Sequence, residues 1–193
     1  AEVAIKEITD RIAPEDIEFH MLTLRYDSDL PRCSKEGNVF VHRIGMTAHN
    51  PDMADLRKFP LHYMKALWQI WGGVAAMRLH RRERFDAIWA MMAYSCGVPA
   101  ALFNLFYPDV PFVLTLQEGD PFERVFDRAR IRFFSPLLLY GIRRASAVQA
   151  ISSFLGQWAR QCGFVGRLEI IPNGVDIKLF LGEPVAHDGV VLI

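Results

Sequence analysis

The sequence predicts an α/β fold: a doubly wound, mostly parallel sheet with helices on both faces. Two observations predict it. Short apolar runs alternate with segments of helical period along most of the chain, the pattern of βαβ units joined by right-handed crossovers. Two of those runs also end abruptly in small polar residues, Val148-Gln149-Ala150-Ile151-Ser152-Ser153 and Ile170-Ile171-Pro172-Asn173-Gly174-Val175-Asp176. Ligands of open parallel sheets bind outside the carboxyl ends of the strands, so these ends are where chemistry is expected.

The elements follow in order. Ala1, Ile5, Ile8 and Ile12 make one apolar stripe of a first helix that Pro14 stops. A strand over 17–24 turns continuously apolar, as strands covered on both faces do. Residues 27–37, rich in Asp, Ser, Pro and Gly, read as a loop, and 39–44 as the next strand. Residues 47–60 look irregular. Leu61, Met64, Leu67, Trp68, Trp71, Val74 and Ala75 then mark one face of a helix running towards Arg84. Gly72-Gly73 weakens it by about 1 kcal/mol per glycine, which points to a kink or to close packing there. A strand over 87–92, a helix over 97–106 and a strand over 112–116 come next. A helical region over 123–144 is expected to break or bend near Ser135-Pro136. A strand over 147–151, a helix over 154–162 with Gly163 as its stop, and a strand over 168–171 complete the pattern. Residues 181–188 read as a linker and 190–193 as the opening of another strand.

Composition bounds the function. A chain of 193 residues with 51% hydrophobic content can bury a core and suggests one domain, with fragments of neighbours left open. Lys plus Arg and Asp plus Glu both number 22, so no field favours nucleic acid. Cys33, Cys96 and Cys162 form no metal spacing, and the six histidines are scattered with no pair at ligand spacing on a helix. No metal is therefore expected. Unpatterned cysteines fit a reducing cytosol, where small buried thiols are the default. The apolar stretch 97–116 is interrupted by Pro99, Asn104, Pro108, Asp109 and Pro111 and is not a membrane span. No signal peptide is visible at Ala1. A soluble, cytoplasmic protein is the expectation.

The doubly wound geometry gathers four strand ends on one edge: 92–96, 117–121, 152–153 and 173–176. Gln117, Glu118 and Asp120 place an amide and two carboxylates directly after an apolar strand. They could accept hydrogen bonds from the hydroxyls of a ligand, and one carboxylate could act as a general base. Asp120 is also placed to cap a helix that opens with Pro121. Ser152 offers a hydroxyl to a ligand, or it caps the next helix, as Ser153 could. Asn173-Gly174 is either a two-residue hairpin turn or a strand end with Asp176 capping a short helical turn. In the second case Asn173 offers a donor and an acceptor, and Gly174 permits positive φ and close approach of backbone to ligand.

Two regions mix aromatics with arginine: Trp68, Trp71, Arg78, His80, Arg81, Arg82 and Arg84, then Arg124, Arg128, Arg130, Arg132, Phe133 and Phe134. Basic amphipathic helices can lie on an anionic membrane, and Arg78, Arg81, Arg82, Arg128 and Arg132 are the docking candidates. The alternative is ordinary helices with a solvated basic face.

The segment IIPNGVD followed by Phe180, after a strand ending in Ser and a helix ending Cys162-Gly163-Phe164, resembles the end of the N-terminal domain of retaining glycosyltransferases of GT-B fold. The likeness is to the family 4-like group. Ala1-Glu2 resembles the tail of that family's Gly-Gly-Ala-Glu loop, Phe85-Asp86-Ala87-Ile88-Trp89 its "pDvvh" strand, and Pro111 to Leu116 the strand that normally ends in Thr-x-His. Gln117 stands where that histidine would be, so a role needing an imidazole is in doubt. The resemblance implies a Rossmann-like, acceptor-side domain over 1–180, its first strand and glycine-rich loop missing. Residues 181–193 would be the interdomain linker and first strand of a donor-binding domain. It further implies metal-independent transfer of a hexosyl group from a nucleotide-sugar, as co-substrate rather than cofactor, to a saccharide or lipid-linked acceptor. The family's paired glutamates would lie in the second domain, so the fragment alone is expected to be inactive. Docking on the inner face of the plasma membrane would suit a lipid-linked acceptor. The rivals are a non-catalytic carbohydrate-binding or membrane-docking module and part of a GT-B sugar-nucleotide epimerase.

Overall fold

The structure, a computed structural model, describes residues 2–119, 129–175 and 177. Expectations placed on Asp120, Arg124, Arg128, Asp176, Phe180 and the segment 181–193 lie outside these residues.

The described strands form two sheets. The first is ordered β1-β3-β2, from β1 (Phe19–Leu24), β2 (Cys33–Glu36) and β3 (Val39–Ile44). The second is ordered β4-β5-β6-β7, from β4 (Ile88–Met91), β5 (Phe112–Leu116), β6 (Ala147–Ala150) and β7 (Arg167–Ile170), and every pairing in it is parallel. Among the described residues five α-helices join them: α1 (Glu2–Thr9), α2 (Met64–Glu83), α3 (Val98–Phe106), α4 (Ala129–Arg144) and α5 (Ser153–Gln161). The expected strand–helix alternation is present and the sheet is mostly parallel.

One strand was not foreseen. Cys33–Glu36 lies inside the expected loop 27–37, antiparallel to β3. It is an edge strand held by main-chain hydrogen bonds, so its polar Cys-Ser-Lys-Glu side chains need no buried face. Gly37, at φ +58°, makes the tight return to Asn38 that this pairing requires. The Arg43 guanidinium spans back to Ser34 Oγ at 2.7 Å and to the Glu36 carboxylate.

The first helix also differs from expectation. It stops at Thr9, five residues before Pro14, and it buries Thr9 while Ile8 is exposed. Thr9 Oγ1 donates to Ile5 O at 3.0 Å, and the Asn38 amide donates to Thr9 O and Ile12 O. Docking of this end on Asn38, rather than the isoleucine stripe, sets which side faces in.

On α2 the buried positions include Met64, Gln69, Gly72, Gly73, Ala76 and His80, whereas Trp71 lies on the outside. The glycine pair produces close packing, and the helix runs through it unbroken. A Cβ at Gly73 would stand 2.9 Å from Pro99 O and 2.8 Å from Leu102 Cδ2 on α3. On the other side of α3, a Cβ at Gly141 of α4 would come within 2.6 Å of Ala101 Cβ. Three helices therefore stack through small residues. α4 passes Pro136 without a break. The Arg132 carbonyl, which loses its N–H donor at Pro136, accepts the Ser135 hydroxyl at 2.8 Å.

The core lies where α3, α4 and α5 meet the four-stranded sheet. Phe112, Leu114, Leu116, Val148 and Ala150 from the strands pack with Val98, Leu138, Ile142, Trp158 and Phe164. The five strand residues lie on one face of β5 and β6. On the alternate face Val113, Ala147 and Gln149 are half-buried and Thr115 is fully buried.

Candidate functional site

The carboxyl ends of β4 to β7 carry the polar groups. At the end of β4 the chain turns sharply. Met92 has φ +75° and ψ 129°, a conformation uncommon for a residue with a side chain. Three bonds hold it there: its N–H donates to Thr115 O at 2.8 Å, and its carbonyl accepts from Cys96 N at 3.3 Å and Gly97 N at 3.0 Å. The π-helical turn Ala93–Gly97 follows and leads into α3. Such turns are frequent at functional sites.

Glu118, just past β5, reaches across to that turn. One carboxylate oxygen accepts the Ala93 N–H and the other accepts the Gln117 N–H at 2.9 Å. Burial pushes its pKa above the ordinary glutamate range, with the N–H donors from Ala93, Glu118 itself and Gln117 opposing that rise. Glu118 thus fastens the end of β5 to the strained end of β4. A carboxylate has about four acceptor positions, so each oxygen retains capacity to accept from a ligand hydroxyl. Beside it, Gln117 is half-buried and its Oε1 is a buried acceptor with no partner among the described residues. Buried side-chain acceptors are normally satisfied, so an orphan at a strand end marks a place where a donor is wanted. Cys96, in the π turn, has its thiol pushed up to about 11 by burial, with the Glu118 charge adding to the rise. It is no nucleophile at neutral pH.

A polar row that the sequence did not reveal runs across the alternate face. Trp89 Nε1–H donates to Thr115 Oγ1 at 2.9 Å, Thr115 donates to Gln149 Oε1 at 3.0 Å, and Gln149 Nε2 donates to Ile171 O at 3.3 Å. It joins β4 to the start of the Asn173-Gly174 segment. The available signal was a Thr and a Gln inside apolar strands that otherwise read Phe-Val-Leu-Thr-Leu and Ala-Val-Gln-Ala.

Ser152 is the N-cap of α5, its hydroxyl oxygen accepting Leu155 N–H at 3.3 Å. Asn173 and Gly174 are exposed, beyond the last pairing at the end of β7. Apart from Val175 and Ile177, the segment that would supply the second strand of a hairpin lies outside the described residues. Gly174 is not among the positive-φ glycines, which are Gly37, Gly45 and Gly163, and a Cβ there would meet nothing within 4 Å. Left-handed backbone is therefore not what calls for glycine at 174, and only the open approach remains.

Gln117, Glu118 and the Met92 turn are brought together at the ends of β4 and β5, with Ser152 at the neighbouring end of β6 and Asn173 past β7. The basic candidates lie elsewhere. Arg78, Arg81 and Arg82 are exposed on α2, with Arg81 Nε donating to the Tyr107 hydroxyl at 3.2 Å, and Arg132 is exposed on α4. Trp68 is structural, since its Nε1–H donates to Ser95 O in the π turn at 2.6 Å. Among the described residues no group of three or more His, Cys, Asp or Glu could hold a metal ion, and no helix is long and apolar enough to cross a membrane.

A four-stranded parallel sheet under helices, with polar groups at its carboxyl edge, defines a Rossmann-like α/β domain of the GT-B glycosyltransferase kind. Residues 1–174 match the glycosyl transferase 4-like domain, and the chain belongs to that family. Among solved structures it is similar to sucrose-phosphate synthase from Thermosynechococcus elongatus at 14% identity. The match covers 92% of this chain and 88% of that one, with a TM-score of 0.60. A search of curated proteins found no match.

Proposed function

We propose that this chain is the acceptor-side domain of a retaining, metal-independent glycosyltransferase that moves a hexosyl group from a nucleotide-sugar to a saccharide or lipid-linked acceptor. The observation that carries the reading is the unpartnered Gln117 Oε1 beside Glu118, at the strand ends of a glycosyltransferase-family domain. In this role Gln117 Oε1 accepts a hydrogen bond from an acceptor hydroxyl. Glu118 holds the strained Met92 turn in place and offers its remaining lone pairs to the same hydroxyls. Ser152, Asn173 and Gly174 line the same edge. Asp120 belongs to the same proposed set.

The amide of Gln117 cannot take a proton near neutral pH, so it orients the hydroxyl and leaves deprotonation to another group. The developing charge on sugar and leaving diphosphate needs positioned donors, and these belong to the donor-binding domain of the full-length enzyme. The 193 residues alone are then inactive, and detectable transfer by the purified chain would overturn that part. In the full-length enzyme, Gln117→Ala is expected to lower kcat/KM for the acceptor about 10- to 100-fold, the worth of one hydrogen bond to a buried group. Donor hydrolysis in the absence of acceptor should stay unchanged. Equal losses in both assays would remove Gln117 from the acceptor site.

A second reading is favoured by one observation. Trp71, Arg78 and Arg82 recur at seven and four residues and share an exposed stripe of α2, next to exposed Ile70. Docking of this stripe on an anionic surface would bring a lipid-linked acceptor to the domain. Vesicle sedimentation tests it: binding that falls with salt and with Arg78→Glu plus Arg82→Glu supports docking, and binding unaffected by either rejects it.

A further inference from the structure

Cys33, His42, His20 and Glu18 form a hydrogen-bonded row in the three-stranded sheet, on elements that carry none of the candidate transferase site. Cys33 Sγ lies 3.7 Å from His42 Nδ1, His42 Nε2 lies 3.0 Å from His20 Nδ1, and His20 Nε2 lies 2.9 Å from Glu18 Oε1. Strand register builds the row. Cys33 is the direct antiparallel partner of His42, and His20 pairs with Phe40, two residues before His42 on the same face. The His20 ring is almost fully covered, packed on His42 at 5.2 Å and against Phe40 and Phe85.

One assignment of protons satisfies every contact. The Glu18 carboxylate accepts from His20 Nε2–H, which leaves His20 Nδ1 an acceptor for His42 Nε2–H. His42 Nδ1 is then an acceptor and receives the Cys33 S–H. Burial and the neighbouring His20 hold His42 below the ordinary histidine range, against the pull of Glu83 on α2, so at neutral pH it is the uncharged base this scheme needs. Nucleophile, base and orienting groups thus stand in line, with the sulfur exposed on an edge strand. Of the other thiols Cys162 is buried and Cys96 half-buried, and burial pushes them up to about 12 and about 11.

We propose that Cys33 is a base-assisted nucleophilic thiol, a modification site that takes small disulfides. In the exchange Cys33 Sγ attacks one sulfur of the reagent while its proton passes to His42 Nδ1. The new S–S bond forms as the reagent's S–S bond breaks, and the departing thiolate takes the proton from His42 and leaves as a thiol. Cys33 is oxidised to a mixed disulfide and the departing sulfur is reduced. The His20–Glu18 pair orients His42 and stabilises the positive charge it gains in transit.

The test uses the full chain and oxidised glutathione at neutral pH, followed by intact mass and peptide mapping. One adduct, on Cys33, is expected. His42→Gln is expected to slow the reaction about tenfold, and His20→Phe, which keeps a ring between Phe40 and Phe85, about threefold. Should His42→Gln fail to fold, His20→Phe decides. First reaction at Cys96 or Cys162, or a wild-type rate in the folded variants, overturns the proposal.

Discussion

The central strands β5 and β6 of the four-stranded sheet and strands β1 and β2 of the three-stranded sheet are buried to different depths, and their polar residues are placed accordingly. In β5 and β6 one face is sealed, with Phe112, Leu116 and Ala150 fully covered, so polar groups are confined to the other face and to the strand ends. In β1 every residue is half-buried, and β2 is exposed almost throughout. There a histidine can point across the sheet to a cysteine without displacing a core residue. The first arrangement gives a rigid platform whose edge is available to a ligand. The second gives a thin sheet whose face carries a proton-transfer row.

The largest expected effect tests that difference in depth. Leu114→Ala, in the sealed face, should cost about 2–5 kcal/mol, whereas Leu22→Ala in half-buried β1 should cost clearly less. Equal losses in chemical denaturation would break the comparison. Next comes the helical stack that covers the platform. Gly73→Ala gains about 1 kcal/mol of helix propensity but forces a methyl against Pro99 O and Leu102, and a net loss of about 1–2 kcal/mol is expected in thermal melts. A stabilised protein would mean that α2 and α3 can separate at no cost.

Thr115→Val keeps the shape of the strand and removes the hydroxyl between Trp89 and Gln149. A loss of about 1–2 kcal/mol is expected, together with faster amide exchange at Ile151 and Ile171 as Gln149 lets go of the strand end. Unchanged exchange would show that the row is not what holds the Asn173 segment.

The smallest effect is a pH slope. Glu118 has its folded-state pKa raised, so the folded state binds more protons than the unfolded state between the two values. Its stability contribution is fully present below the unfolded pKa, about 4.3, and is lost as pH rises through the raised folded value. Glu118→Gln should therefore flatten the decline of stability across that window, measured as denaturation midpoints against pH. An identical decline in the variant would assign the slope to other groups.

Local sequence carried the second half of the chain well. β5 was expected at its observed limits, β6, β7 and α5 within one residue, and Gly163 stops α5 at φ +90°. Each is marked by period and punctuation within its own residues. α1 was misjudged because its buried side is chosen by Asn38, a residue 29 positions from Thr9. The strand at Cys33–Glu36 was missed because an exposed edge strand has no apolar period to read. At the site, the placement of Gln117 and Glu118 at a strand end was legible, whereas the bond from Glu118 to Ala93 was not.

What the sequence determined alone is what local chemistry encodes: alternating elements, a parallel sheet, the strand ends with their polar residues and the family they resemble. The tertiary structure decided what lies far apart along the chain. The scattered histidines and an unpatterned cysteine become a row only because β1 and β2 pair with opposite edges of β3, bringing residues 22 and 9 positions apart into hydrogen-bond contact. Strand pairing is a long-range choice made by burial and register, and no window of sequence shorter than the pairing itself contains it.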